Sequence, residues 1–303
     1  MRFNTKFIVN PAAGANSSRR KWVIILDLLK HLGISFDYQY TEGSGHAIEL
    51  AKDAASGGYE RIVAVGGDGT INEVANGILK SPNPSEAIMG VISTGTGGDF
   101  IRSAGIPRDY MKACSCISSS NRLTVDVGVV EYHQKGQKLC RFFINTAGIG
   151  LDAAVVHNTE KLPKYFGGTI PYLWGLVRTL LTYKNKLVEI KSGGKIIREH
   201  VVSVIVANGG YAGGGMHFAP FAKLNDGLLD TVIVGNMGKL ELLKSFPRVY
   251  KGTHINLPKI RLDKTTDISV ESSDKALVYA DGEFLGEGPV RFHVIPAALQ
   301  IVV

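Results

Sequence analysis

Gly66-Gly67-Asp68-Gly69-Thr70-Ile71-Asn72-Glu73 is the stretch whose reading decides the fold. It follows Ile62-Val63-Ala64-Val65, an apolar run of the length and composition of a buried strand. It leads into Val74-Ala75-Asn76-Gly77-Ile78-Leu79, whose apolar residues have helical spacing. Three glycines in four positions let main chain approach a bulky anion with no Cβ in the way. The helix that follows turns free N–H groups and the positive end of its dipole toward that anion. Asp68 and Glu73 lie in the same stretch, where a carboxylate can hold Mg²⁺ or water. A strand, a glycine loop and a helix in this order predict a nucleotide triphosphate site.

The flanking sequence extends the pattern. Lys6–Val9, Ser35–Tyr40 and Ile88–Ser93 read as strands. Helical signals run from Trp22 to Leu32 and from about Gly45 to Ala55. Alternation of this kind predicts an α/β unit with a parallel sheet and helices on both faces. Three of its strands run into small-residue loops: Asn10-Pro11-Ala12-Ala13-Gly14, Gly66 to Thr70, and Gly95-Thr96-Gly97-Gly98-Asp99. In an open parallel sheet such loops share the carboxyl edge, where ligands bind.

From about Leu123 the signals change to short alternating or β-branched runs. They are Thr124–Glu131, Leu139–Asn145, Lys186–Lys191, His200–Ala207, Leu229–Val234, Lys259–Leu262, Asp267–Glu271, Ala276–Tyr279 and Val290–Ile295. They predict a mainly antiparallel sandwich or barrel. Helices are expected near Ile170–Leu181 and Lys239–Tyr250. The expected division is residues 1–125 for the α/β unit and 126–303 for the β-sandwich unit, packed around a shared cleft. Neither a low-complexity linker nor an internal repeat is visible.

Bulk properties narrow the classes. A chain of 303 residues, 45% hydrophobic and 20% charged, suits a two-domain globular protein. The formal charge of +7 favours an anionic partner without choosing among nucleotide, nucleic acid and membrane. Cys114, Cys116 and Cys140 form no metal-ligand or disulfide spacing, which fits reduced thiols in a cytoplasmic setting. The amino terminus lacks the apolar core of a signal peptide, and no apolar run reaches the roughly 18 residues of a membrane span. Nucleic-acid modules are absent as well.

A longer series of motifs makes the reading specific. It comprises Asn10-Pro11 with Gly14, Thr41 with Gly45-His46-Ala47, Gly66 to Glu73, Gly95-Thr96 with Asp99-Phe100, Asp126-Val127-Gly128, and Asn145 with Gly148-Ile149-Gly150 and Asp152. It continues through Asn208-Gly209, Gly213-Gly214-Gly215, Pro220 with Asp226-Gly227, and Asp281-Gly282-Glu283. In this order, over nearly the whole length, the chain resembles the bacterial diacylglycerol-kinase-type lipid kinases, relatives of sphingosine and ceramide kinases. The Gly-Gly-Asp-Gly element alone also occurs in NAD kinases and phosphofructokinases; the later elements set the lipid-kinase pattern apart.

The resemblance implies a nucleotide domain like that of NAD kinase and phosphofructokinase, a β-sandwich domain, and an active site in the cleft between them. It implies ATP as phosphoryl donor, Mg²⁺ as cofactor and a lipid hydroxyl as acceptor. Phosphoryl transfer asks mainly for positioning and charge neutralisation. Main-chain N–H groups of the Gly66 and Gly95 loops can cradle phosphates. The hydroxyls of Thr41, Thr70 and Thr96 and the amide of Asn72 add polar contacts. The resemblance gives the ATP contacts to Thr41, to Gly66, Gly67, Asp68, Gly69, Thr70, Ile71 and Asn72, and to Thr96; Asn10, Glu73 and Gly95 complete the candidate set.

Asp68 is the candidate for Mg²⁺, directly or through water, with Asp99 and Asp126 joining its water network by resemblance. A helix N-cap is the plainer role for Asp99, and an exposed strand position for Asp126. Glu283, behind the tight turn Asp281-Gly282, is the candidate general base that takes the proton of the acceptor hydroxyl; a plain hairpin with a solvated Glu is the alternative. By resemblance, Asp226 with the carbonyls of Lys223 and Leu228 holds a structural Mg²⁺, against a simple Asp-Gly turn. Gly213-Gly214-Gly215 reads as a loop, and His46 as orienting a loop near the nucleotide.

Two positions depart from the family pattern: Ser93 stands where Pro is usual, and Gly98 where Asn is usual. Some relatives add a carboxyl-terminal segment that returns to the first domain, and little or none of it is expected before Val303. Between Lys161 and Arg198 lie eight Lys or Arg and one acid, Glu189, around the Trp-bearing apolar run Ile170–Val177. This suits peripheral docking on an anionic, inner membrane face, or a helix packing its apolar side on the sandwich. Competing functions are an NAD kinase-like enzyme acting on a soluble dinucleotide and a non-catalytic nucleotide- or membrane-binding module. The acceptor (diacylglycerol, phosphatidylglycerol or a sphingoid base) and the oligomeric state, a homodimer included, stay open.

Overall fold

A computed structural model describes residues 4–160 and 178–303. Of the helix expected near Ile170–Leu181, residues 170–177 lie outside the described residues, as do Lys161 and Lys164, and residues 178–182 are helical. The chain divides into two compact units, Met1–Val127 with Pro296–Val303, and Gly128–Ile295.

The first unit is an α/β layer structure. Its strands are β1 (Thr5–Val9), β2 (Phe36–Tyr40), β3 (Arg61–Gly66) and β4 (Ile88–Ser93), parallel and in the order β4-β3-β1-β2. β3 and β4 are buried at every residue, as central parallel strands covered on both faces must be. The crossovers run through α1 (Ser17–His31), α2 (His46–Ser56) and α3 (Asp68–Leu79). α1 buries Trp22, Ile25 and Leu29, a stripe at helical spacing, with the Trp22 ring 5.7 Å from Phe7. Two further helices, α4 (Asp99–Ala104) and α5 (Tyr110–Ile117), follow β4; the sequence hinted at the first only through the N-cap reading of Asp99, and the second was not expected.

α3 begins at Asp68, earlier than the sequence suggested. The loop therefore shrinks to Gly67, and Asp68 through Glu73 belong to the helix. The chain's end also differs from expectation. The last strand returns to the first unit, where Gln300 and Ile301 pair in parallel with Ile88 and Met89 of β4. Leu299, Ile301 and Val302 are buried there, which is why the segment docks although it looked too short to return.

The second unit is antiparallel. It contains β6 (Gln137–Phe143), β7 (Thr146–Gly150), β8 (Lys186–Ser192), β9 (Lys195–Ala207), β10 (Leu229–Gly235), β11 (Ile260–Thr265), β12 (Asp267–Ser272) and β13 (Leu277–Ala280). Two strands, β5 (Arg122–Gln134) and β14 (Glu283–Val302), belong partly to each unit. β9 and β14 change partners along their length. Residues 201–207 of β9 pair with β7 and β10, and residues 195–201 with β8. β14 pairs first with β13, then with β12. Strands that switch partners in this way join the layers of a sandwich. The core holds Phe143, Ile149, Val204, Val270, Val278 and Phe292. β7, the buried run Thr146-Ala147-Gly148-Ile149-Gly150, escaped sequence reading because glycines dilute its apolar signal. Helices α6 (Leu151–Glu160) and α7 (Lys239–Tyr250) also belong to this unit, with a helical stretch at 178–182 between them in sequence.

Candidate active site

In the first unit, β1 connects toward β2 while β3 connects toward β4, so the chain reverses its winding between β1 and β3. Loops at such a switch point diverge and leave a crevice at the carboxyl edge. Asn10 follows β1, Thr41 follows β2, Gly67 follows β3, and Gly95-Thr96 lie just past β4. All four loops with candidate nucleotide contacts thus share that edge.

Asn10 ties two of them together: its Nδ2 donates to Thr70 Oγ1 (3.0 Å), and its Oδ1 accepts the Ala12 N–H (3.0 Å). The β3 and β4 loops meet main chain to main chain. A Cβ placed on Gly95 would lie 2.5 Å from the Gly67 Cα, so no side chain fits there. Lys21 of α1, missed by sequence reading, donates from Nζ to the Thr94 carbonyl (3.2 Å) at the same edge. The Arg19-Arg20-Lys21 run was the only signal for it.

The two acidic residues of the glycine stretch have structural partners. Glu73 accepts the Gly45 N–H on Oε1 (2.9 Å) and the Ala47 N–H on Oε2 (3.2 Å), which caps α2 from a neighbouring helix. Asp68 accepts the Gly98 N–H on Oδ2 (2.8 Å) and the Phe100 N–H on Oδ1 (3.1 Å), which caps α4. A carboxylate has about four acceptor sites, so Asp68 keeps capacity for a metal-bound water. Gly98 sits at φ +70°, the left-handed region open to Gly and also to Asn. The departure from Asn therefore preserves the main-chain shape that presents this N–H to Asp68.

Asp99 is the first residue of α4, is buried, and lies 3.5 Å from Arg102. Asp126 is buried in β5, contrary to its plainer reading as an exposed strand residue. Its Oδ1 accepts the Ala297 N–H (2.8 Å), so it fastens the returning carboxyl-terminal segment. His46 accepts the Glu42 N–H on Nδ1 (3.0 Å), a loop-orienting contact. Among the described residues no three His, Cys, Asp or Glu side chains converge as a metal cage. Mg²⁺ in phosphoryl transfer usually takes one or two carboxylates, with phosphate and water supplying the rest, so the Asp68 carboxylate fits that use.

In the second unit the Asp281-Gly282 pair forms the β13–β14 turn with both residues at positive φ (45° and 81°). The Asp281 carboxylate accepts three main-chain N–H groups, from Ile144 (2.8 Å), Asn145 (3.0 Å) and Thr146 (2.8 Å). The turn is thereby pinned to β7. Glu283 follows at the start of β14, and its Oε2 lies 2.7 Å from Arg141 Nη2. Arg141 went unnoticed in the sequence because cross-strand neighbours have no fixed spacing.

The same unit holds an apolar pocket walled by Leu151, Leu180, Val202, Met237, Leu242, Phe246 and Val249. One wall carries Asp152, which is half-buried; desolvation there pushes its carboxyl up to about 6, against a lowering hydrogen bond from Ser203. Its Oδ2 has no hydrogen-bond partner among the described residues. Gly213, Gly214 and Gly215 all have positive φ, in a loop closed by the Ala212–Met216 bridge, as the loop reading expects.

The residues expected to hold a structural Mg²⁺ do not fit one. Lys264 Nζ lies 2.7 Å from Asp226 Oδ2, 3.2 Å from Asp230 Oδ2 and 3.5 Å from the Phe221 carbonyl. The three N–H donors of an ammonium thus face three oxygens, and a divalent cation on Asp226 would meet that positive charge. Desolvation raises the Asp230 carboxyl, with Lys264 pulling it back. Burial works against the charge on Lys264, but its two carboxylates outweigh it and raise the ammonium. Asp226 also accepts the Leu228 N–H (3.2 Å), as an Asp-Gly turn does.

Comparison with known proteins agrees with this architecture. Residues 4–130 match the diacylglycerol kinase catalytic domain, and residues 145–303 match the YegS C-terminal NAD kinase beta sandwich-like domain. The diacylglycerol kinase of Bacillus subtilis (strain 168) is 31% identical over 288 residues, 95% of this chain and 92% of the relative. That of Staphylococcus carnosus (strain TM300) is 29% identical, over 96% of this chain and 92% of the relative. A solved structure from Bacillus anthracis str. Sterne, described under the diacylglycerol kinase name, superposes with TM-score 0.78 at 25% identity, over 100% of this chain and 98% of that one. Yeast NADH kinase shares the fold alone, at TM-score 0.50 and 11% identity, over 99% of this chain and 83% of that one. The chain is a kinase and belongs to the diacylglycerol kinase family.

Proposed function

We propose that this kinase transfers the γ-phosphoryl group of ATP to the hydroxyl of a membrane lipid of the diacylglycerol, phosphatidylglycerol or sphingoid kind. The carrying observation is the apolar pocket of the second unit with Asp152 in its wall, in a chain whose first unit brings the main chain of Gly67 and Gly95 together at the carboxyl edge of its sheet. A soluble dinucleotide has no use for such a pocket; a lipid chain does.

In this reading the main-chain N–H groups at the start of α3 and the Gly95 loop hold the triphosphate, with Thr41, Thr70, Thr96 and Asn72 adding polar contacts. Lys21 contributes positive charge beside them. Mg²⁺, when bound with the nucleotide, neutralises phosphate charge, and Asp68 holds it through water, with Asp99 and Asp126 nearby in sequence motif. Glu283 accepts the proton of the acceptor hydroxyl as the oxygen attacks phosphorus, and Arg141 aims it. The protein would work at the cytoplasmic face of the membrane. Among the described residues no helix is long and apolar enough to cross a membrane, which leaves a peripheral approach.

A kinase assay with radiolabelled ATP and Mg²⁺ over a panel of dispersed lipids, with NAD as the soluble competitor, tests this. Label is expected in lipid, and Glu283→Gln is expected to reduce kcat by about 10²- to 10⁴-fold, the usual contribution of a general base. Label found only in NADP would refute the lipid acceptor. An unaffected Glu283→Gln would refute the base.

A further inference from the structure

α7 is unusual for this protein in burying none of its residues completely. Its inner side, with Leu242, Phe246 and Val249, lines the apolar pocket. Its outer side carries Leu240, Lys244, Pro247 and Arg248, with Lys251 just past its end, all exposed, and Leu243 lies at the pocket's rim. These positions recur at helical spacing and form a single stripe. Leu240 is 74% exposed, the most exposed large apolar side chain among the described residues. Leu181, 67% exposed, extends the apolar patch, since Lys239 donates a hydrogen bond to its carbonyl. The stripe has cations and no acid. Glu241, the helix's one acidic residue, is held by Lys259 at 2.8 Å on another side.

We infer that α7 is a membrane-docking helix: it lies along an anionic lipid surface with Leu240 and Leu181 in the headgroup layer and Lys244, Arg248 and Lys251 against lipid phosphates. Exposed leucine amid cations on one outward face complements a surface that has apolar chains beneath anionic headgroups. The stretch of cations without an acid matches an anionic bilayer, whose headgroups present phosphates over the whole face. Because the helix's other side walls the pocket, docking sets that wall against the lipid source. The inference rests on the lipid-kinase reading only for its purpose; the binding it asserts stands on the helix itself.

The test is flotation of the whole protein with vesicles of phosphatidylcholine alone and of phosphatidylcholine with phosphatidylglycerol. Activity is measured in parallel on a short-chain lipid dispersed in non-ionic detergent. The parent should bind the anionic vesicles and ignore the neutral ones. Lys244→Gln/Arg248→Gln should bind about thirtyfold more weakly, at about 1 kcal/mol per cation removed near an anionic surface. Leu240→Glu should bind more weakly as well. Both variants should keep the parent's melting temperature and its activity in detergent, because these side chains are exposed. Undiminished vesicle binding by both variants overturns the proposal. So does a parent dimer that Leu240→Glu dissolves, which would give the face to a second copy. Vesicle binding lost in the variants, with no lipid phosphorylated by any form, supports the docking helix and refutes the lipid-kinase reading instead.

Discussion

Replacing Lys264 by Ala should turn a self-contained ion cluster into a metal site. In the parent, the Lys264 ammonium lies between Asp226 (2.7 Å) and Asp230 (3.2 Å). Removing one member of a buried pair costs about 3–5 kcal/mol, because the other is left as an uncompensated charge. Here the Asp230 side chain is only 6% exposed while that of Lys264 is 36% exposed. Solvent already screens part of the pair, so the expected loss is about 2 kcal/mol. For a unit of this size that is roughly 4–8 °C in melting temperature. Millimolar Mg²⁺ or Ca²⁺ should then recover part of it: at ten times its dissociation constant, a ligand of the native state contributes about 1.4 kcal/mol. Calorimetry of parent and variant, without nucleotide, in EDTA and in 10-fold steps of Mg²⁺, reads both effects. The parent should melt at the same temperature in either buffer. A parent that loses several degrees in EDTA, or a Lys264→Ala variant that melts like the parent, would refute the reasoning.

Asp152 gives a dependence on pH. Its folded pKa is raised, so between its ordinary value and about 6 the native state holds a proton that the unfolded chain has released. Stability from this group is therefore complete at low pH and declines as pH rises through that window, by on the order of 3 kcal/mol in all. Asp152→Asn should flatten the curve and raise stability at pH 7.5; a curve of unchanged slope would count against the burial argument. Asp281→Ala should lower stability by about 2–4 kcal/mol and kcat by more than tenfold, because three main-chain donors lose their acceptor and the turn that aims Glu283 loosens; chemical denaturation and initial rates measure the two. Arg141→Gln should reduce kcat and shift its pH profile while leaving KM for ATP within about twofold, since it acts through Glu283. Gly95→Ala should weaken ATP binding by more than tenfold in calorimetric titration, because its new Cβ meets the Gly67 Cα.

The α/β unit was legible because each element carries its own signal. β3 and β4 are uninterrupted apolar runs, and the glycine loops mark where they end. Strand order could not be read, since pairing depends on contacts far apart in sequence, and the short helices α4 and α5 fall below the length at which periodicity speaks. β7 was hidden by its glycines. At the candidate site the residue types were legible and their engagements were not. Asp68 and Glu73 stood out as acids near phosphates, yet the donors they accept, Gly98, Phe100, Gly45 and Ala47, lie 26 to 32 residues away. Arg141 and Lys264 were invisible for the same reason: each meets its carboxylate across strands or loops at no characteristic interval. Asp126 shows the converse, a motif residue whose burial follows from a segment 171 residues downstream.

That downstream segment bears on how the protein is made. Residues 296–303 supply the strand beside Ile88 and Met89, so the amino-terminal unit lacks that edge of its sheet until these residues have been made. On the ribosome, the unit translated first is the one that must wait, with the flank of β4 bare while the sandwich is threaded out behind it. A nascent chain arrested before Pro296 should therefore be cut readily by protease in its leading unit, and adding residues 296–303 as a separate peptide should protect it.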